Sequence, residues 1–163
     1  MKRKALSRKG FTLTETLIVV VILALMSSAG AVGVSAVMAT HVTMIQVADA
    51  EILGSTAFQT IANELRFGQN IRVDSDGEYV VLDSPKYGPD TLIVLDEDGK
   101  LKYGKDDPDH GLSDLLGESA YSGLDISALE FDRDGNGAIT ISLAVSGNKG
   151  DLWSGDLTVA PLN

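Results

Sequence analysis

Cysteine is absent from this 163-residue chain, and proline is scarce. The lack of cysteine excludes a disulfide framework, an iron–sulfur cluster and a thiol nucleophile. None of the four prolines comes before Pro85. Because proline is the residue that most strongly interrupts a helix, nothing prevents one continuous helix from about residue 12 to residue 69.

Charge is missing from residue 16 to residue 48. The apolar run 17–26 and the small and β-branched residues of 29–39 together exceed the roughly 20 residues that a helix needs to cross a bilayer. Basic residues hold the adjoining end of a span in the cytoplasm, and five of them precede the run: Lys2, Arg3, Lys4, Arg8 and Lys9. The sequence therefore predicts a single membrane pass with the rest of the chain outside the cytoplasm.

Positive charge is rare beyond this segment. The whole chain carries a net charge of −10 at pH 7, from 13 basic and 23 acidic residues. Setting aside the five basic residues up to Lys9 leaves 8 basic side chains against 23 acidic ones, a net charge of −15. A surface this acidic repels phosphate backbones, so direct nucleic-acid binding is not expected.

One acidic residue, Glu15, stands at the entrance to the apolar run, within residues 9–15 (KGFTLTE). A carboxylate at the mouth of a membrane span is costly and usually has a partner. An ordinary secretory signal peptide, with a small-residue site at Ala29-Gly30-Ala31, leaves it unexplained, and so does a plain uncleaved anchor. The helical pattern also continues beyond Ala31, where a signal peptide would end.

Residues 9–20 (KGFTLTETLIVV) closely resemble the class III signal of type IV pilins and pseudopilins. The resemblance implies that a membrane-embedded aspartyl peptidase, the prepilin peptidase, cuts on the cytoplasmic side after Gly10. It implies that the new N-terminal residue, Phe11, is N-methylated. It also implies that Glu15 is the carboxylate used in assembly.

Physical chemistry supplies a reason for each of these residues. Gly10 lets the backbone lie extended in a narrow protease cleft without a Cβ clash. Cleavage creates an ammonium at Phe11, and the Glu15 carboxylate of one subunit can pair with the ammonium of a neighbour as helices stack. An unpaired carboxylate in an apolar bundle is costly, so docking is favoured in the register that pairs it.

The predicted fold class is α+β, with a long N-terminal helix, transmembrane and then amphipathic, packed on a small antiparallel β-sheet head as in pilins. We expect a leader peptide at 1–10, a transmembrane or assembly helix at 11–35, an amphipathic continuation at 36–69 and a β-rich head at 70–163. Apolar residues at three- and four-residue spacing predict the amphipathic part: Met38, Val42, Ile45, Ala48, Ile52, Ile61 and Leu65.

Glycines mark the positions where this helix could bend, namely Gly30, Gly33 and Gly54. In the head, apolar runs separated by Asp- and Gly-rich turns predict strands. The expected strands are 71–73, 78–83, 91–96, 101–103, 126–131, 138–145 and 152–159, with a short helix at 112–116. The strongest β signal is the alternation of Ile139, Ile141, Leu143 and Val145, which predicts a sheet with one face on the helix and the other in water.

Two acidic segments are candidates for a calcium site. Asp132, Asp134 and Asn136 stand where an EF-hand loop would place its ligands. The closing position is Leu143, however, and Asp-Gly and Asn-Gly pairs equally signal a hairpin turn, which we favour. The second candidate is the loop 104–111, with Asp106, Asp107 and Asp109, for which solvated loop acids are the simpler explanation.

The resemblance implies a structural subunit of a type IV pilus or a type II secretion-like pseudopilus, serving secretion, adhesion or DNA uptake, and no enzyme. His41 and His110 have no serine or carboxylate at a recognisable motif spacing. The implied partners are other pilin subunits, the prepilin peptidase and the inner-membrane assembly platform, with an ATPase acting indirectly.

The expected location is the cell membrane, with a cytoplasmic leader and an extracytoplasmic head, and an extracellular filament after assembly. No cofactor is expected apart from the Ca²⁺ candidates. The alternative from a different class is a calcium-dependent binding module that is secreted through an ordinary signal peptide or held by an anchor.

Overall fold

A computed structural model of the chain describes residues 12–105, 111–148 and 150–162, without the side chains of residues 29–32. The chain divides into two units, Met1–Thr43 and Met44–Asn163. The helix α1 (Leu13–Phe67) accounts for most of what is described in the first unit and begins the second. The long N-terminal helix is therefore confirmed, and it continues through the glycines at which it could have bent.

Strands dominate the second unit after α1. Five of them form an antiparallel sheet in the order β1-β2-β3-β4-β5, and three form another in the order β6-β7-β8. The elements are β1 (Gln69–Val73), β2 (Tyr79–Ser84), β3 (Gly88–Leu95), β4 (Leu101–Lys105), β5 (Ser113–Asp114), α2 (Glu118–Tyr121), β6 (Asp125–Arg133), β7 (Ile139–Gly147) and β8 (Gly150–Val159). The α+β layout is confirmed, although the single sheet that we expected is two sheets.

The short helix predicted at 112–116 is wrong. Ser113 and Asp114 pair with β4 as the edge strand β5, and Leu115 continues this pairing by donating its N–H to the Leu101 carbonyl at 2.9 Å. Lys102 and Asp114 are cross-strand partners joined by an ion pair of 2.6 Å. The segment is a strand because its backbone pairs with the edge of β4, although its two strand residues, Ser113 and Asp114, are polar and exposed.

The core of the second unit lies between residues 44–67 of α1 and the inner faces of both sheets. Along β7 the predicted alternation is confirmed, because Ile139, Ile141, Leu143 and Val145 are all buried. The helix contributes a face made largely of small and aliphatic side chains: Ala50, Leu53, Ala57, Ile61 and Leu65. This face holds the two sheets on one side of the helix.

Two turns of similar sequence hydrogen-bond to β6 along the edge that does not pair with β7. Gly77 ends the turn 74–77 and Gly99 ends the turn 96–99, both with positive φ (76° and 69°). The Gly77 carbonyl accepts a hydrogen bond from Phe131 N–H at 2.8 Å, and the Gly99 carbonyl accepts one from Ile126 N–H at 2.9 Å. A Cβ at Gly77 would come within 2.8 Å of the Phe131 carbonyl oxygen, so the close approach requires glycine.

Gly54 is a point of close approach between α1 and β8. A Cβ at Gly54 would overlap the ring of Trp153. That ring also packs edge-on against Phe58, with 5.5 Å between the ring centroids. The absent side chain at Gly54 therefore makes the space into which the indole fits.

We expect Gly54→Ala to destabilise the second unit. Alanine favours the helix itself by about 1 kcal/mol, but the added methyl must displace an indole packed on two sides. Overpacking of this kind costs about 1–3 kcal/mol, so we expect a net loss. The measurement is chemical denaturation of the full chain in detergent micelles, followed by circular dichroism.

Gly33→Ala is the matched control, because no heavy atom outside its local backbone lies within 4 Å of a Cβ added at Gly33. It should leave the denaturation midpoint of the head unchanged. An equal or higher midpoint for Gly54→Ala than for the unmodified chain would show that the indole does not depend on this space.

Candidate functional site

Thr12 and Glu15 form a reciprocal pair at the start of α1. The Thr12 N–H and the Thr12 hydroxyl each donate to Glu15 Oε2 at 3.1 Å, and the Glu15 N–H donates to Thr12 Oγ1 at 3.3 Å. The Thr12 carbonyl accepts the first helical hydrogen bond, from Thr16 N–H at 3.1 Å. This is the arrangement called a capping box.

The sequence signal for this pair was present and went unused. A threonine followed three residues later by glutamate, ahead of an apolar run, is the signature of a capping box. Our sequence analysis singled out Glu15 alone and gave Thr12 no role. The structure brings the two side chains together.

Gly10 and Phe11, the residues of the predicted cleavage site, lie outside the described residues. Cleavage between them and N-methylation of Phe11 stay predictions, and so does the assembly role of Glu15. The described residues begin at Thr12, two residues beyond Gly10.

The part of α1 in the first unit exposes its apolar side chains. The exposed residues include Leu17, Ile18, Val19, Val20, Val21, Ile22, Leu23, Leu25 and Met26. An 18-residue window of this helix has a mean hydropathy of 2.6, and the helix is long and apolar enough to cross a membrane. The hydroxyls of Ser27 and Ser28 donate to helix carbonyls at 2.8 Å, so they need no water as partner.

A family model described as the prokaryotic N-terminal methylation motif matches residues 6–31. This motif is the signal of type IV pilins and pseudopilins. The chain carries a type IV pilin signal. No curated protein and no solved structure matches the chain. The pilin signal and the apolar helix that contains most of it are thus the two observations that bear most directly on function.

Residues 44–67 of α1 have two different apolar faces. The buried face begins at Ala50 and Leu53, whereas Ile45 and Ile52 are 50% and 63% exposed on the other side. The amphipathic stripe predicted from sequence contains residues of both faces, since Ile61 and Leu65 are buried and Ala48 is exposed with Ile45 and Ile52. Sequence reasoning missed the head-facing side because small residues, among them Gly54, make up much of it.

The segment that contains the first calcium candidates forms the hairpin between β6 and β7. Asp134 Oδ1 accepts hydrogen bonds from Asn136 N–H at 2.9 Å and from Ala138 N–H at 2.8 Å. The Asp134 N–H donates in turn to the Ala138 carbonyl at 2.9 Å. One carboxylate oxygen of Asp134 is therefore occupied by the turn that joins β6 to β7, which is the interpretation that we favoured.

The remaining candidate residues lie either outside the described part of the chain or on α1. Asp106, Asp107, Asp109 and His110 lie outside the described residues, and His41 is exposed on α1. Among residues 12–105, 111–148 and 150–162, no group of three or more His, Cys, Asp or Glu side chains could hold a metal ion.

Two lysines of the head, Lys100 and Lys102, are engaged with acidic partners near β4. Lys102 binds Asp114 at 2.6 Å and lies 3.8 Å from Asp96, and Lys100 binds Glu118 at 2.8 Å. The hydrogen bond from Lys102 raises its own pKa and lowers the pKa of Asp114. The hydrogen bond to Glu118 likewise raises the pKa of Lys100. These lysines stay charged at neutral pH and leave most of the head's acidic charge uncompensated.

We expect Asp134→Ala to lower the thermal midpoint of the head, because two hairpin N–H groups lose their acceptor. Asp134→Asn keeps an oxygen acceptor and should lower the midpoint less. Adding Ca²⁺ in place of a chelator should leave the midpoint of the unmodified chain unchanged. The measurement is thermal unfolding of all three proteins in detergent micelles.

A Ca²⁺-dependent rise of the midpoint that disappears in Asp134→Asn would contradict this expectation. It would instead assign Asp134 to a calcium site. Glu130→Gln is the control for a general effect of lost charge, since Glu130 is an exposed acid of β6 outside the hairpin turn.

Proposed function

We propose that this chain is a structural subunit of a type IV pilus or a type II secretion-like pseudopilus. The observation that carries the proposal is the N-terminal methylation motif at residues 6–31. Support comes from α1, which is apolar enough to cross a membrane. In this proposal the prepilin peptidase cuts after Gly10, and Phe11 becomes the methylated N-terminus.

Assembly then uses two parts of α1. Near its start, the Glu15 carboxylate of one subunit pairs with the Phe11 ammonium of a neighbour, which favours one register of helix against helix. Farther along, the outward face with Ile45 and Ile52 supplies apolar area that a neighbouring helix would cover. Exposed apolar area of this kind is typical of an interaction surface.

The head supplies a folded, acidic domain outside the cytoplasm. The acidic charge of the head keeps it soluble while the apolar part of α1 lies in the membrane. The partners are other pilin subunits, the prepilin peptidase and the inner-membrane assembly platform. Before assembly the subunit is a single-pass membrane protein, and afterwards it is part of an extracellular filament. The work is structural, and no catalytic step is assigned to it.

The N-terminus of the mature protein tests this function most directly. We expect mass spectrometry of the protein from cells that possess the peptidase to find a chain that begins at Phe11 and carries one added methyl group. Gly10→Val should block the cut, because a Cβ branch at this position obstructs the extended backbone in the cleft.

A mature chain that begins at Val32 would contradict the proposal and support a secretory signal peptide cut after Ala31. An intact Met1 in the same cells would support an uncleaved anchor. The alternative function, a calcium-dependent binding module, requires one of these two results.

The outward face of α1 is tested by Ile52→Glu. We expect incorporation into filaments to fall roughly tenfold or more, because burying an unpaired charge between helices costs several kcal/mol. The fold of the head should not change, since Ile52 is 63% exposed. The measurement is the fraction of subunits in sheared filaments relative to the membrane pool.

Ser119→Glu is the control, with the same new side chain at an exposed polar position on α2, outside the outward face of α1. It should be incorporated like the unmodified chain. Full incorporation of Ile52→Glu would remove the Ile45 and Ile52 face from the assembly interface.

A further inference from the structure

We infer that the free edge of β8 is a docking site for an extended basic segment of another protein, which adds to the three-stranded sheet as a fourth strand. The free edge is the row of backbone N–H and C=O groups on the side of β8 that does not face β7. The inference concerns the head and does not depend on processing at the N-terminus.

The edge of β8 differs from the other three sheet edges of the described residues. At the edge of β1, the Ile71 carbonyl is occupied by Arg133 Nη1 at 2.9 Å. At the edge of β6, the turns 74–77 and 96–99 supply hydrogen-bond acceptors, and β5 is only two residues long. In contrast, β8 has ten residues, and no other strand or loop of the described chain pairs with its free edge.

Most of β8 also lacks the features that usually prevent edge-to-edge pairing. Such features are a lysine, a proline, a bulge or an inward-pointing charge. The irregularity in the pairing with β7 lies between Asp151 and Trp153, so residues 153–159 are regular. This stretch contains no lysine and no proline, and its one charged residue, Asp156, is exposed. The edge is therefore open to another strand.

The backbone groups that are available on this edge follow from the pairing across the sheet. The Phe131 N–H points away from β7, because it donates to the Gly77 carbonyl. Phe131 lies opposite Ile141, and Ile141 lies opposite Leu157. Since hydrogen-bonded and non-hydrogen-bonded pairs alternate in antiparallel sheets, the backbone groups of Leu157 point to β7. The residues whose backbone groups point to the free edge are Ser154, Asp156 and Thr158.

The solvent face beside the edge favours a basic partner. Glu130, Ser142 and Asp156 form one row across the three strands. Neither carboxylate of this row takes part in an ion pair of the described residues. A shallow cavity of about 310 Å³ lies on this face, where the row meets the small residues Ala144 and Ser154. Lysine or arginine side chains of an added strand would reach the two carboxylates over this low surface.

The inner face beside the edge favours apolar residues in the partner. Trp153 and Leu157 pack against the core but are only half-buried. Side chains of an added strand alternate between the two faces of the sheet. The segment that fits this edge therefore alternates basic residues on the solvent face with apolar residues on the inner face, as in other cases of strand addition.

A second copy of this chain is the competing occupant. The solvent-facing side chains of its β8 include Asp151 and Asp156 and no basic residue. No register of β8 against itself can therefore pair an acid with a base, and like charges on facing strands are unfavourable. Charge complementarity thus favours a different, basic chain.

The experiment uses the full-length protein in detergent micelles and a synthetic peptide of alternating lysine and valine, long enough to span residues 153–159. Binding is measured by calorimetry and by the emission of Trp153, the only tryptophan in the chain. The control peptide has the same sequence with a methyl group on the backbone nitrogen of each lysine. In an antiparallel pair these are the nitrogens that face β8, so the control keeps the charge and loses the donors.

Two substitutions separate backbone pairing from charge. Ser154→Pro removes one N–H of the free edge without changing the charge, and an edge strand tolerates proline on that side. Ser154→Ala is its matched control, because it keeps the N–H. Asp156→Asn removes the charge and keeps the backbone donor. Circular dichroism verifies the fold of each variant, and the methylated peptide tests the unmodified chain even if Ser154→Pro fails to fold.

We expect saturable binding of the alternating peptide and none of the methylated one. Ser154→Pro should weaken binding about fivefold, the size of one lost hydrogen bond, and Asp156→Asn about threefold, the size of an exposed ion pair. Ser154→Ala should bind like the unmodified chain. These results would support the free edge of β8 as the docking site.

Three results would overturn the inference. They are no binding of the alternating peptide, equal binding of the methylated peptide, and equal binding by a folded Ser154→Pro variant. The second of them would show that charge attraction alone is responsible. A dimer that forms without peptide and dissociates in Ser154→Pro would also overturn it, because the edge would then belong to a second copy of this chain.

Discussion

Apolar side chains that are exposed along the first half of α1 constrain everything else in this protein. Removing such surface from water is worth about 25 cal/mol per Å², so a run of nine large exposed apolar residues between Leu17 and Met26 requires a covering. A bilayer provides one, and neighbouring helices provide another. Either covering would keep this apolar surface away from water.

The second unit covers one apolar face of its part of α1 with its own two sheets. The head-facing side of α1 has small residues at Ala50, Gly54 and Ala57. The strands can therefore approach the helix closely, and large side chains from them, such as Trp153, fill the space. The opposite side of the same helix keeps Ile45 and Ile52 uncovered. One helix segment therefore has an interior face on which small residues alternate with large aliphatic ones such as Leu53 and Ile61, and an outward face that keeps Ile45 and Ile52 exposed.

The parts of the fold that depend on local sequence could be predicted. The long helix follows from the absence of proline and from the periodicity, and β7 follows from strict alternation. The division into two sheets could not be predicted, because it depends on which distant strands pair, and the turn contacts of Gly77 and Gly99 with β6 are likewise between residues far apart in the sequence. The strand at Ser113 depends on a free edge of β4. At the site, the motif pointed to Glu15, and the Thr12–Glu15 spacing of a capping box was readable in the sequence as well; the structure adds the three hydrogen bonds that join the two residues.

The contact between Gly54 and Trp153 has a practical consequence. Trp153 is the only tryptophan in the chain, so the intrinsic indole fluorescence of the protein comes from this one position. The emission wavelength of an indole responds to the polarity around it, and here the surroundings are the helix backbone and Phe58. The protein thus contains its own optical reporter for whether residues 44–67 of the helix and the strands of the head remain packed together in a membrane or in detergent.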